Sequence, residues 1–305
     1  GSGSGIFTNT QGTGAGGNIF VNANSVTLQN GGTLSAATSG TEASATGGTI
    51  TVNANQVQLN SGGLITASTT GAGDGGSITI GAGSTFASNA STLSSTAAQA
   101  QGGDINITAG QSVTLNNGSL ITASSTGPGD AGDILINAGQ NYTSTDSAVT
   151  TQAAQASGGN ITVLAADMVQ LTNSQLNASV QGSSTTVGGN ITIDPLYVIF
   201  QNSQILAQAT QGQGGAISIT ITNGGLFLSD ATSTVSASSQ FGVSGPVTIQ
   251  SPNAPASGKI QPLRKSPLQA TSLLNQRCAA LAGGEFSSFT VAGRDSLPTE
   301  PGSWL

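Results

Sequence analysis

From Gly17 onward the apolar residues fall into three short runs separated by polar turns, and the whole set recurs every ~28 residues. One copy reads Gly-Gly-Asn-Ile-Thr-Val-Leu-Ala-Ala-Asp-Met-Val-Gln-Leu-Thr-Asn-Ser-Gln-Leu, from Gly158 to Leu176. Each copy starts at a pair of small residues, the second of which is Gly17, Gly48, Gly76, Gly103, Gly132, Gly159, Gly189, Gly215 or Gly245. The first run follows at once as Ile19/Val21, Ile50/Val52, Ile78/Ile80, Ile105/Ile107, Ile134/Ile136, Ile161/Val163, Ile191/Ile193, Ile217/Ile219 and Val247/Ile249. β-Branched residues two apart mark a strand rather than a helix.

The second run is Val26/Leu28, Val57/Leu59, Val113/Leu115, Val169/Leu171, Val198/Phe200 and Leu226/Leu228, with Phe86 and Tyr142 in its place in two divergent copies. The third is Leu34, Ile65, Leu93, Ile121, Val149, Leu176, Ile205 and Val235, often with Ala two residues later. Three short strands per copy cannot bury their apolar faces alone, so each copy must stack on the next. The expected fold is all-β: a parallel β-helix of about eight coils of ~28 residues, on the order of 40 Å long at one strand spacing per coil. Asn30, Asn60, Asn117, Asn173 and Asn202 follow the second run and are expected to turn the chain in the left-handed region, stacked in a row. The stretch from Gly75 to Gln101 resembles that from Ala131 to Ser157 more than its neighbours, which points to a two-coil super-repeat.

This pattern divides the chain into an incomplete coil over 1–16, repeats over 17–250, a Pro-rich linker over 251–271 and a C-terminal cap or tail over 272–305. Pro252, Pro255, Pro262 and Pro267 cannot join a ladder. Leu274, Cys278 and Leu281 stand at helical spacing, so a short helix is expected there, and Ser287 to Val291 reads as one strand.

Composition adds a charge asymmetry. Among 305 residues there is no His, and every base (Lys259, Arg264, Lys265, Arg277 and Arg294) lies in the tail. The repeats hold only acids: Glu42, Asp74, Asp104, Asp130, Asp133, Asp146, Asp167, Asp194 and Asp230. A base-free surface argues against nucleic acid and against an anionic membrane surface as partners. No run reaches the ~18 apolar residues of a membrane span. Cys278 stands alone, with no partner for an internal disulfide. The opening Gly-Ser-Gly-Ser-Gly reads as the end of a repeat, so the chain is expected to be a piece of something longer.

Candidate chemistry is sparse. Glycan-cleaving β-helices need clustered acids for acid/base work, or a base beside acids; the repeats have no base and no His, and their acids mostly lie in turns of different units, so no enzyme is expected. Asp104 and Asp133 occupy the same position on successive coils with Asp130 in the turn before, making the three a candidate calcium site against the alternative of solvated turn acids. No other cofactor is expected.

The units Gly-Gly-Asn-Ile-Thr-Val to Val-Gln-Leu-Thr-Asn, with the ending Arg277-Cys278-Ala279-Ala280, Ser287-Ser288-Phe289-Thr290-Val291-Ala292-Gly293-Arg294 and Leu297-Pro298, resemble the large filamentous-haemagglutinin-like exoproteins of cyanobacteria, relatives of the secreted partner in two-partner secretion. The resemblance implies a right-handed, single-stranded parallel β-helix, export through a dedicated outer-membrane barrel, and an adhesin-like role at the cell surface or in the secreted fraction. The transporter signal of such proteins lies in an N-terminal domain that has no counterpart in these residues. The expected function is a β-helical stalk for adhesion or surface contact. Its competitors are a neutral-carbohydrate-binding or carbohydrate-active β-helix, and a filament or envelope-layer subunit that self-associates end to end. Glycans or cell surfaces are the expected partners.

Overall fold

The computed structural model describes residues 3–221 and 224–252; the linker, helix and strand expected beyond Pro252 lie outside the described residues. Among the described residues the chain is all β with no helix, and its parallel strands stack as a β-solenoid of about eight turns, about 29 residues apart. The first run is in register from coil to coil, with Ile50 beside Ile78, Ile78 beside Ile105, Ile105 beside Ile134 and Ile134 beside Ile161. The third run stacks the same way and forms a separate nine-stranded sheet. One continuous core runs from Ile19 to Ala237. A parallel sheet wound into coils leaves no hydrogen-bonding edge except at its two ends, which is why so weakly charged a surface can be tolerated.

The first and second runs share one sheet, and in the first three full coils they fuse into the long strands Ile19–Gln29, Ile50–Asn60 and Ile78–Asn89. From the fourth coil on they part, as in Ile105–Ala109 and Ser112–Asn116. Gly110 and Gly139 stand at this break, and Pro195, which has no N–H for the ladder, stands at a later one.

Two expectations about the second run are corrected. Asn60 does not turn the chain; it closes its strand, and Ser61 takes the left-handed conformation (φ 50°) in line with Asn30 (φ 54°). Counted from the buried Leu59, the turn falls at the second residue, as it does for Asn117 after Leu115 and Asn173 after Leu171. Ala90 and Asp146 hold the same position with φ of 48° and 50°, so stacking imposes this backbone even where no Asn relieves it. In the last coil Leu226 and Leu228 are not the inward pair. Phe227 is, lying beside Val198 and packing edge-on against Phe200 with ring centroids 5.5 Å apart. Burying the larger ring edge-to-face outweighs full burial of the two leucines, which are only partly buried.

Core volume explains the two-coil super-repeat. Coils with Val113/Leu115 and Val169/Leu171 alternate with coils in which Phe86 or Tyr142 is followed by Ser88 or Ser144, all of them buried. A large ring at the first inward position leaves room only for a small side chain at the second, and close packing enforces that exchange. Ser88 and Ser144 then donate at 3.0 Å to Ser119 Oγ and Ser174 Oγ. Tyr142 Oη is buried without a hydrogen-bond partner; burial pushes the phenol above its ordinary range, and the nearby Ser144 offsets only part of that.

The small pair also has a reason. Gly132 N–H donates to Ala123 O at 2.7 Å and Gly189 N–H to Ala178 O at 2.8 Å, a bond that pinches each coil between its end and the residue after its third run. At Gly159 a Cβ would fall on the carbonyl oxygen of Gly132 in the coil before, well inside contact distance. The glycine is there for close backbone approach.

Candidate functional site

Asp104, Asp133, Asn160 and Asn190 form a single exposed row, each immediately after its pair of small residues, Gly-Gly except for Ala131-Gly132 before Asp133. Their side chains reach along the stack. Asp104 Oδ1 accepts the N–H of Asp133 at 2.9 Å, Asp133 Oδ1 that of Asn160 at 2.7 Å, Asn160 Oδ1 that of Asn190 at 3.1 Å, and Asn190 Oδ1 that of Ala216 at 2.8 Å. The row stops where chemistry stops it, since Ala216 offers no side-chain acceptor and Pro246, next in line, has no N–H to give.

Asp130 belongs to a neighbouring row, where its Oδ1 accepts the N–H of Ser157 at 2.8 Å, as Asp74 Oδ1 accepts that of Gln101 at 3.0 Å. The structure thus stacks Asp104 and Asp133 as the repeat register requires, and gives each of the three proposed calcium ligands a backbone donor in the next coil. Among the described residues no group of three His, Cys, Asp or Glu side chains is arranged to hold a metal ion. Short polar side chains that satisfy backbone N–H groups account for Asp at these positions in the same way as for Asn.

A second row runs through the turns. Asn202 Nδ2 donates to Asn173 Oδ1 at 2.9 Å and Asn173 Nδ2 to Asp146 Oδ1 at 3.0 Å. Just inside it lies a buried serine row: Ser174 Oγ accepts the N–H of Ser147 at 3.3 Å and Ser203 Oγ that of Ser174 at 3.2 Å. At the end of the stack Asp230 accepts from Ser233 Oγ at 2.7 Å, Ser233 N–H at 2.8 Å, Thr232 Oγ1 at 2.9 Å and Asn202 N–H at 2.9 Å. The Ser233 hydroxyl is the largest cause of a carboxyl held down at about 2, although partial burial opposes it.

The feature that the three-run pattern did not anticipate is a fourth line of contact. Thr38, Thr69, Ala97, Ser125, Ala153, Val180, Ala209 and Ser239 pair in sequence through single parallel bridges. Their side chains mix methyls and hydroxyls, so no apolar run marks them. The signal that does is a period of two continuing past the third run: Ile121, Ala123, Ser125; Val149, Thr151, Ala153; Leu176, Ala178, Val180. Every one of these nine side chains is buried.

Where the chain bends at this line it leaves an open groove of about 490 Å³ parallel to the stack, lined by residues 124–126, 152–154, 179–181, 208–210 and 238–240. Each of five coils contributes three residues, the middle one on the bridge line and the outer two forming the walls. One wall reads Ser124, Gln152, Ser179, Gln208, Ser238. No lining residue is charged.

Among the described residues no helix is long and apolar enough to cross a membrane. Comparison with family models, curated proteins and solved structures finds no match to this chain.

Proposed function

We propose that the chain is the β-helical stalk of an adhesin-like protein, secreted or carried on the outer face of the cell, which holds contact surfaces away from its point of attachment. The observation that carries this reading is the use made of the repeated residues. The Ile, Val and Leu columns are core, the glycine pairs are close backbone contacts, and the Asp, Asn and Ser rows bond the next coil. What recurs in every coil serves length and rigidity, which is the requirement of a spacer. The repeats contain no Lys or Arg and no Cys, so the rod offers no tryptic site and depends on no disulfide, both of which suit an exposed stalk.

Beads carrying the full chain, passed under shear over cell-coated and bare surfaces, test this reading. Retention on cells above that of beads carrying an unrelated protein of equal charge supports adhesion. Retention equal to that control on every surface would remove the adhesive role.

A further inference from the structure

The groove beside the bridge line is a concave surface built from the same three positions of five successive coils. Its walls present amides and hydroxyls, and its floor is the buried line Ser125, Ala153, Val180, Ala209. The wall serines are largely engaged within the stack: Ser124 Oγ accepts the N–H of Gln152 and Ser179 Oγ that of Gln208, both at 3.1 Å. Gln208 Nε2 donates to Ser238 Oγ at 3.2 Å. The amides of Gln152, Gln181 and Gln240 are different, because they are exposed and make no side-chain hydrogen bond among the described residues. Gln152 stands on one wall, and Gln181 and Gln240 on the other, at three levels of the stack.

We propose that this groove binds a neutral polysaccharide strand lying along the solenoid axis. Three observations select that ligand. The groove is uncharged in a block of coils whose only charges are acidic, so an anionic polymer is repelled and a cationic one finds no carboxylate to pair with. A primary amide donates and accepts at once, which matches sugar hydroxyls, groups that also do both. The amides and hydroxyls recur at one strand spacing per coil, about 4.8 Å, a repeat of the same order as one hexose in an extended chain. The groove carries no aromatic side chain on which a sugar ring could stack, so affinity comes from several weak contacts along the strand and grows with ligand length. The proposal is independent of the adhesive reading, because a spacer without adhesive function could hold a glycan and an adhesin could use another face.

The test is calorimetric titration of the full chain with cellohexaose, maltohexaose, mannohexaose and hexagalacturonate, alongside the Gln152→Ala/Gln181→Ala/Gln240→Ala variant. A Gln56→Ala/Gln58→Ala variant on the exposed face of the first sheet serves as control, and circular dichroism checks that each variant is folded. At least one neutral hexasaccharide is expected to bind, more tightly than its trisaccharide, with Kd raised about tenfold or more in the triple variant and unchanged in the control. Absence of binding by every neutral oligosaccharide would overturn the proposal. So would equal or tighter binding of hexagalacturonate, or binding that the triple variant leaves intact.

Discussion

Asp133 and Asn160 stand one coil apart in the same row, and Asp133 Oδ1 accepts both the backbone N–H of Asn160, at 2.7 Å, and its side-chain amide, at 3.1 Å. The relationship is between coils rather than within a turn, so the carboxylate works as an acceptor that fastens one layer to the next. Replacing Asp133 by Ala is expected to lower stability by about 1 kcal/mol, because an N–H loses its partner at a site water can reach. Asp133→Asn retains an acceptor and is expected to recover most of that loss. Urea unfolding of the two variants checks it, and equal destabilisation by both would show that charge rather than hydrogen bonding matters here.

Because Asp104, Asp130 and Asp133 each reach to a backbone N–H of the next coil and are not grouped around one point, millimolar calcium is expected to leave the melting temperature of the protein unchanged. A ligand that binds only the folded state raises the melting temperature, and by more the further its concentration exceeds its Kd. A calcium-dependent rise that disappears in Asp133→Asn would assign Asp104, Asp130 and Asp133 to the cation instead.

Exchange of volume between Tyr142 and Ser144 gives a sharper packing test. Tyr142→Phe removes a buried hydroxyl that has no partner and is expected to raise stability by about 1 kcal/mol. Tyr142→Val alone leaves a cavity and is expected to cost about 3 kcal/mol. Adding Ser144→Leu rebuilds the Val/Leu pair of the flanking coils and is expected to restore at least half of that cost, a coupling between contacting residues that a double-mutant cycle measures. Strict additivity would contradict volume exchange as the origin of the super-repeat.

Asp230 predicts a pH dependence. Its carboxyl lies at about 2 in the folded chain against an ordinary 3.8, a lowering caused first by the Ser233 hydroxyl. The unfolded chain therefore takes up this proton first as pH falls, so the contribution of Asp230 is complete above about pH 4 and is lost on descending towards pH 2. The difference in urea midpoint between the wild type and Asp230→Asn should be largest above pH 4 and shrink steadily as pH falls through about 2. A difference that grows on acidification would have the wrong sign for this network.

Much of this was legible in the sequence because the strongest signal, β-branched residues two apart at a fixed period, maps directly onto inward positions of stacked strands. Ile50, Ile78, Ile105, Ile134 and Ile161 are read correctly without any structure. At Asn60 residue type points to a turn one residue early, because only register from Leu59 decides it. Phe227 was missed because Leu226 and Leu228 fit the apolar alternation, whereas burial of a ring against Phe200 fixed the other phase. The bridge line through Ala153 and Val180, and with it the groove, escaped the apolar pattern because Thr38, Ser125 and Ser239 serve there as well as Ala does. The repeat register alone stacks Asp104 on Asp133, but adjacency does not reveal that the carboxylate's partner is the N–H of the next coil.

The surface-stalk account is tested most directly by where the native protein resides. An antibody raised against the repeats, applied to intact cells of the native host and to the same cells after permeabilisation, reports this in one comparison. A surface stalk should be labelled on intact cells, or recovered from the culture medium, with little further gain on permeabilisation. Labelling that appears only after permeabilisation, with none in the medium, would contradict it.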